Sequence, residues 1–246
     1  MRNFRMVLQY EGTRYQGWQK QESTDNTIQG KLEKLLSKMA GSIVEVQGSG
    51  RTDAGVHAFG QVANFKMNTE KTPDELMCYI NEYLPEDIAV VELCEVHERF
   101  HSRLNAKGKK YKYRVLNSSI PHVFDRRYVY QVTEKLDIEA MRQAAQKLCG
   151  EHDFQAFTSA KKGKKSTVRR IDRIIIEPVN DEIQFTFVGN GFLYHMVRII
   201  MGTLLNVGKG ELKAENIPDI LESGNRQQAG PLVPAKGLSL MEVFYE

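Results

Sequence analysis

Cysteine is scarce in this chain, and the little there is excludes two kinds of protein. Cys78, Cys94 and Cys149 are odd in number and widely spaced, so there is neither a disulfide framework nor a Cys-x-x-Cys site. Long apolar runs are missing as well. No stretch approaches the roughly 20 residues that a membrane-crossing helix needs, and the opening MRNFRMVLQYEG lacks the apolar core of a secretion signal. The one glycine-rich segment leads into strand-like sequence rather than into a helix with Lys-Ser/Thr, so it is no P-loop. The histidines are scattered and give no metal-ligand spacing. The expectation is a globular protein of a reducing cytoplasm, with no membrane association, no metal and no cofactor. At 246 residues it is long enough for one large domain or two small ones.

Charge is present but unevenly placed. Residues 1–100 hold 11 Lys+Arg against 15 Asp+Glu, whereas residues 101–246 hold 23 against 16, so net charges of −4 and +7 sum to the overall +3. One basic cluster, Lys107, Lys109, Lys110, Lys112 and Arg114, interleaves with Tyr111 and Tyr113. A second comprises Lys161, Lys162, Lys164, Lys165, Arg169, Arg170 and Arg173. Basic clusters attract phosphate backbones, and aromatics among them stack on bases, so the second half points to a polyanion partner. The lysine run at 161–165 on its own reads as a solvated loop, expected to be mobile without RNA.

Periodicity divides the chain into two similar patterns. Phe4, Met6, Leu8 and Tyr10 alternate as in a half-buried strand. Ile28, Leu32, Leu35, Leu36 and Met39 follow helical spacing, with Asp25 or Thr27 as cap and Gly41 as stop. Strands are expected at 43–47, 61–67 and 88–96, and Thr72-Pro73 with Glu75 opens a helix reaching about Leu84. In the second half, alternation marks 111–115, residues 137–148 are helical, 168–177 and 183–188 read as paired strands, and a helix is expected from about Phe192 to Asn206. A short helix near 214–222 and a closing strand, LSLMEVFY, complete the pattern. The expected class is α+β: two tandem RNA-recognition-like halves of split-βαβ (ferredoxin-like) type, residues 1–105 and 106–246, with mixed or antiparallel sheets. A catalytic cleft between such halves is the natural place for a site.

The stretch GSGRTDAGVHAFGQ (48–61) crowds Arg51, Asp53 and His57 among small residues, which let a ligand approach the backbone closely. Ser49, Asp53 and His57 are triad residue types without a nucleophile-elbow motif. An ionised carboxylate beside an arginine can attack or deprotonate a sugar, or it can simply close a turn on local amides; the residues alone leave both open. Tyr111, alternating with Tyr113, reads from the residues alone as a strand tyrosine packed in the core. Arg198, inside FLYHMVRIIMGTLL, is either a surface cation or a buried one with a carboxylate partner. His57 and His195 read as supporting residues, and Trp18 as packing.

GRTDAGVHA, with YEGTRYQGWQKQ before it and FLYHMVRIIMGTLL after it, resembles the TruA family of tRNA pseudouridine synthases. TIQGKLE, FHSR, KYKYRV and the closing PAKGLSLMEVFY extend the resemblance nearly end to end. The resemblance implies two RNA-recognition-like halves and an enzyme that breaks the N1–C1′ bond of a uridine, turns the uracil and rejoins it through C5. It implies Asp53 as the catalytic aspartate and Arg51 as the side chain that helps extrude the target nucleotide. It implies Tyr111 packed on the flipped uracil, and Arg198 paired with Asp53. Substrates would be uridines at positions 38, 39 and 40 of the tRNA anticodon stem-loop, with tRNA bound across a homodimer and no cofactor. Departures at Ser102, Leu104 and Leu232-Val233 lie outside these positions and bear on tRNA contacts. Two rival readings are a non-catalytic RNA-binding protein built on the same halves and indifferent to Asp53, and a nucleotide-binding regulatory domain, which the missing P-loop disfavours.

Overall fold

A computed structural model describes residues 1–161, 163 and 166–246; the expectation for the lysine run at Lys162, Lys164 and Lys165 concerns residues outside these. The chain divides into two compact units, Met1–Lys107 with Ser239–Glu246, and Gly108–Leu238.

The first unit opens with β1 (Arg2–Tyr10), whose alternating Phe4, Met6 and Leu8 are wholly buried. Next comes α1 (Ile28–Ala40), which buries Ile28, Leu32 and Leu36 along one stripe. Of the two candidate caps it is Thr27 that accepts a hydrogen bond from the Gly30 amide, at 3.2 Å, and Gly41 ends the helix with φ 65°. Then follow β2 (Val46–Gly48), β3 (His57–Met67), α2 (Pro73–Tyr83) and β4 (Ile88–Val96). β1 runs antiparallel to both β3 and β4, and β2 antiparallel to β3. The expected strand at 43–47 shrinks to three residues because Ile43 is 90% exposed and leaves the sheet. The expected strand at 61–67 lengthens instead, reaching back to His57 because Ala58 already pairs with Tyr10. At α2 the capping box is complete: Thr72 Oγ1 accepts from the Glu75 amide and Glu75 accepts from the Thr72 amide. Thr72→Ala removes half of this reciprocal pair, and a denaturant titration should show about 1 kcal/mol of lost stability.

The second unit comprises β5 (Gly108–Leu116), β6 (Tyr130–Gln131), α3 (Ile138–Leu148), β7 (Gly150–Asp153), β8 (Val168–Val179), β9 (Glu182–Gly189), α4 (Met196–Gly208) and α5 (Ile217–Ser223). β5 pairs antiparallel with β9, β9 with β8 and β8 with β7, while β6 lies parallel to β5. Asn180 (φ 55°) sits in the two-residue turn between β8 and β9, where a left-handed residue matches the strand twist. Tyr113, Phe185 and Phe187 are fully buried on one sheet face, and Met141, Ala144, Ile199, Ile200 and Leu204 are fully buried on α3 and α4. The helix expected from Phe192 begins only at Met196, because His195 adopts φ 64° and breaks the helical path there.

The closing strand, β10 (Leu238–Phe244), follows the second unit in the chain but is counted mainly with the first. Ser239 and Leu240 pair in parallel with His57 and Ala58 of β3. Gly60 makes room for it: a Cβ there would lie 2.4 Å from the Met241 carbonyl oxygen. Chain order alone groups this strand with residues 106–246, but it pairs with β3. Parallel pairing across a long separation carries no local signal. The fold is thus α+β with mostly antiparallel sheets. Among the described residues no helix is long and apolar enough to cross a membrane.

Candidate active site

Residues 49–56 form the connection from β2 to β3, and almost every residue around Asp53 is tied down. The Ser49 amide donates to the Val62 carbonyl at 2.8 Å, and its Oγ donates to Gln61 Oε1 at 2.7 Å. Gln61 Nε2 in turn donates to the Gly50 carbonyl at 3.0 Å. Thr52 is held twice, its Oγ1 bonded to the Tyr10 hydroxyl at 2.8 Å and its carbonyl accepting from the Trp18 amide at 3.0 Å. Burial pushes the Tyr10 hydroxyl up to about 12, against the smaller downward pull of its bonds to Thr52 and Gln61, so it stays protonated and keeps the Thr52 bond. Beyond Asp53, the Gly55 amide donates to the Tyr15 carbonyl at 3.3 Å, and the Val56 amide to the Asp53 carbonyl at 3.1 Å.

The clamp on the far side is the segment YEGTRYQGW (10–18). Gly12 approaches so closely that a Cβ on it would lie 2.0 Å from the Val56 carbonyl oxygen. Gly17 (φ 87°) runs against Thr52, where a Cβ would come within 2.6 Å of the carbonyl oxygen. Its left-handed backbone is one that glycine adopts without strain. The Gly12 amide donates to Nδ1 of buried His57 at 3.0 Å, which gives the histidine a supporting place. Asp87 braces the clamp by accepting from the Tyr15 hydroxyl at 2.5 Å and from Arg14 Nε at 2.8 Å. Trp18, 2% exposed, packs its ring over Gly48. Asp53 itself is half-buried and Arg51 exposed. The loop therefore carries an exposed arginine and a half-buried carboxylate on a backbone held on both sides.

In the second unit Tyr111 is 7% exposed on β5, opposite Phe187 in register. The Phe192 ring meets it edge-on, centroids 5.3 Å apart at 87°. Tyr113, two residues on, points into the core and donates its hydroxyl to the Pro234 carbonyl at 2.7 Å. Arg198 is half-buried on α4, with its Nε donating to the Val233 carbonyl at 2.8 Å. So Arg51 and Asp53 share one loop of the first unit, while Tyr111 and Arg198 stand in the second. Among the described residues no group of three or more His, Cys, Asp or Glu side chains is placed to hold a metal ion.

Sequence reasoning missed Gln61, the fully buried amide that connects Ser49, Gly50 and Tyr10. Its signal was a polar residue at the head of the apolar run QVANF. Gln61→Leu removes three hydrogen bonds and leaves the Gly50 carbonyl short of a partner. A thermal melt should record about 1–3 kcal/mol of lost stability.

A family model described as tRNA pseudouridine synthase matches residues 6–105 and 144–246. Arg51, Asp53 and Arg198 fall inside the matched segments and Tyr111 in the interval between them. The chain is 49% identical to tRNA pseudouridine synthase A of Bacillus sp. (strain KSM-64) over 245 residues, covering 100% of both. It is 48% identical to tRNA pseudouridine synthase A 1 of Clostridium tetani (strain Massachusetts / E88), again over 100% of both. With tRNA pseudouridine synthase A of Acetivibrio thermocellus the identity is 44%, at the same coverage.

Proposed function

The chain belongs to the tRNA pseudouridine synthase family, and from that premise we propose that it isomerises uridines of the tRNA anticodon stem-loop, with Asp53 as the catalytic carboxylate. The observation that carries this reading is the loop: its flanking residues are locked by backbone and buried hydrogen bonds while Asp53 itself is half-buried and Arg51 exposed. A reacting group has to be held within a fraction of an ångström of its target, and such a frame does that. The small residues Ala54 and Gly55 beside it let a nucleotide come close.

The reaction breaks the N1–C1′ bond, turns the uracil and forms a C5–C1′ bond, N1 gaining a proton and C5 losing one. Asp53 acts on the sugar, by attack at C1′ or by removing the C2′ proton; either route needs the carboxylate ionised. Arg51 is long, planar and permanently charged, suited to filling the gap in the base stack left by an extruded nucleotide. Tyr111 packs on the flipped uracil and relays the C5 proton, passing its own hydroxyl proton to solvent as it takes that one. Arg198 supplies the fixed positive charge of the catalytic set. The basic residues of β5 and β8 bind the tRNA backbone, and the enzyme works as a cytoplasmic homodimer on the three anticodon-arm positions named above. No external group is consumed, because the product is an isomer of the substrate.

The test is tritium release from a tRNA transcript carrying uridine labelled at C5, with the modified positions mapped afterwards. Release with pseudouridine confined to the anticodon arm is the expected result. Salt-sensitive tRNA binding without release would favour a purely RNA-binding protein instead.

A further inference from the structure

The segment FLYHMVR (192–198) contains more than the catalytic set uses. Among the described residues two non-glycine residues have positive φ, Asn180 and His195. Asn180 has an ordinary reason, its two-residue hairpin turn. His195 (φ 64°) lies in no hairpin, and its side chain makes no cap bond to α4. Strained backbone of this kind persists only where the surroundings enforce it, and it gathers at functional sites. In this conformation the imidazole stacks on the ring of Tyr194, centroids 3.7 Å apart at 28°.

Tyr194 is fixed from behind as well. Its carbonyl accepts from Thr158 Oγ1 at 3.0 Å and from the Ser159 amide at 3.3 Å. Yet the residue is 56% exposed. An aromatic ring carried on a hydrogen-bonded backbone, backed on one face and left open to solvent has the form of a surface on which a nucleobase stacks. Its neighbourhood suits RNA. Phe192, two residues before, packs on Tyr111, and Arg198 follows on α4. Arg169, from the basic strand β8, reaches the same segment: its Nε lies 4.0 Å from where a Cβ on Gly191 would stand.

We propose that Tyr194 is a stacking platform for a nucleobase of the RNA substrate, one that neighbours the uridine being isomerised. This rests on the reading of the chain as a uridine isomerase acting on tRNA. The platform positions the strand rather than joining the chemistry, so its loss falls on substrate affinity.

Steady-state kinetics with tRNA transcripts test this. Tyr194→Ala should raise KM by about 5- to 150-fold, the equivalent of about 1–3 kcal/mol of base–aromatic stacking, with kcat and the thermal midpoint unchanged. Tyr194→Phe, which keeps the ring, should behave as wild type. With the wild-type enzyme, a transcript made abasic on one side of the target should show the same rise, and Tyr194→Ala should add nothing further on that transcript. An unchanged KM in Tyr194→Ala, or wild-type affinity for transcripts made abasic on either side, overturns the platform while leaving the isomerase reading intact. Additive losses also overturn it, since the ring would then be acting on something other than that base. Absence of tritium release by the wild-type protein overturns the isomerase reading first, and the platform with it.

Discussion

Asp53→Asn should lower the rate of pseudouridine formation by about 10²–10⁴-fold or more, the span expected when a positioned carboxylate is removed, while tRNA affinity holds. The substitution is nearly isosteric, and the backbone on either side of Asp53 is held by bonds that other residues make. Ser49, Thr52, Gly55 and Val56 are tied through backbone groups, Gln61 and Tyr10. What the amide loses is charge, and with it the ability to attack or deprotonate the sugar. Affinity for tRNA is spread over many cationic side chains, so removing one negative charge leaves it equal or slightly stronger. Single-turnover rates and filter binding on the same preparation separate the two effects. Turnover within tenfold of wild type would falsify the role given to Asp53.

Gly12→Ala is the second large effect, and it strikes the support rather than the chemistry. The new Cβ would sit 2.0 Å from the Val56 carbonyl oxygen and 2.6 Å from its carbon. Both are backbone atoms, which no side-chain rotation can clear. The helical turn carrying Gly12 and the end of the Asp53 loop must separate, stretching the bond from the Gly12 amide to His57. Overpacking of this sort costs about 1–3 kcal/mol. A displacement of about 1 Å at the reacting group can cost a further 10²-fold in rate. The expected outcome is therefore a lowered melting midpoint together with poor turnover at temperatures where the variant is still folded. Gly41→Ala is the control. That glycine has a left-handed φ of 65° but nothing within 4 Å of an added Cβ, so stability should fall by about 1–2 kcal/mol and turnover should not change.

The two substitutions also mark what a sequence makes visible. The helix start at Thr72 can be read directly, because a cap bonds to amides two or three residues away, whereas the start of α1 was open between Asp25 and Thr27. Burial on β1 and β5 follows from alternation over consecutive residues. Asp53 and Arg51 stand out because a charged pair among small residues is unusual, although the residues alone left a simple turn open. The support is harder to see. Gln61 meets Ser49 twelve positions back and Tyr10 fifty-one positions back. Gly12 matters because of Val56, and nothing in YEG announces that neighbour. The helix at Phe192 looked continuous because FLYHMVRII is apolar throughout most of its length, and apolar periodicity does not report a backbone kink at His195.

One consequence of the parallel β3–β10 pairing concerns the order of synthesis. Ser239 reaches its partner His57 only after 182 further residues have been made. A domain that folds on the ribosome closes as its own strands emerge, but the first unit must wait for the last strand of the chain. Until then the edge of β3 beside the Asp53 loop has an unfilled ladder position. The unit that carries the proposed catalytic carboxylate is thus among the earliest parts made and among the last completed, and a nascent chain would hold that loop incompletely framed until the C-terminal segment is released.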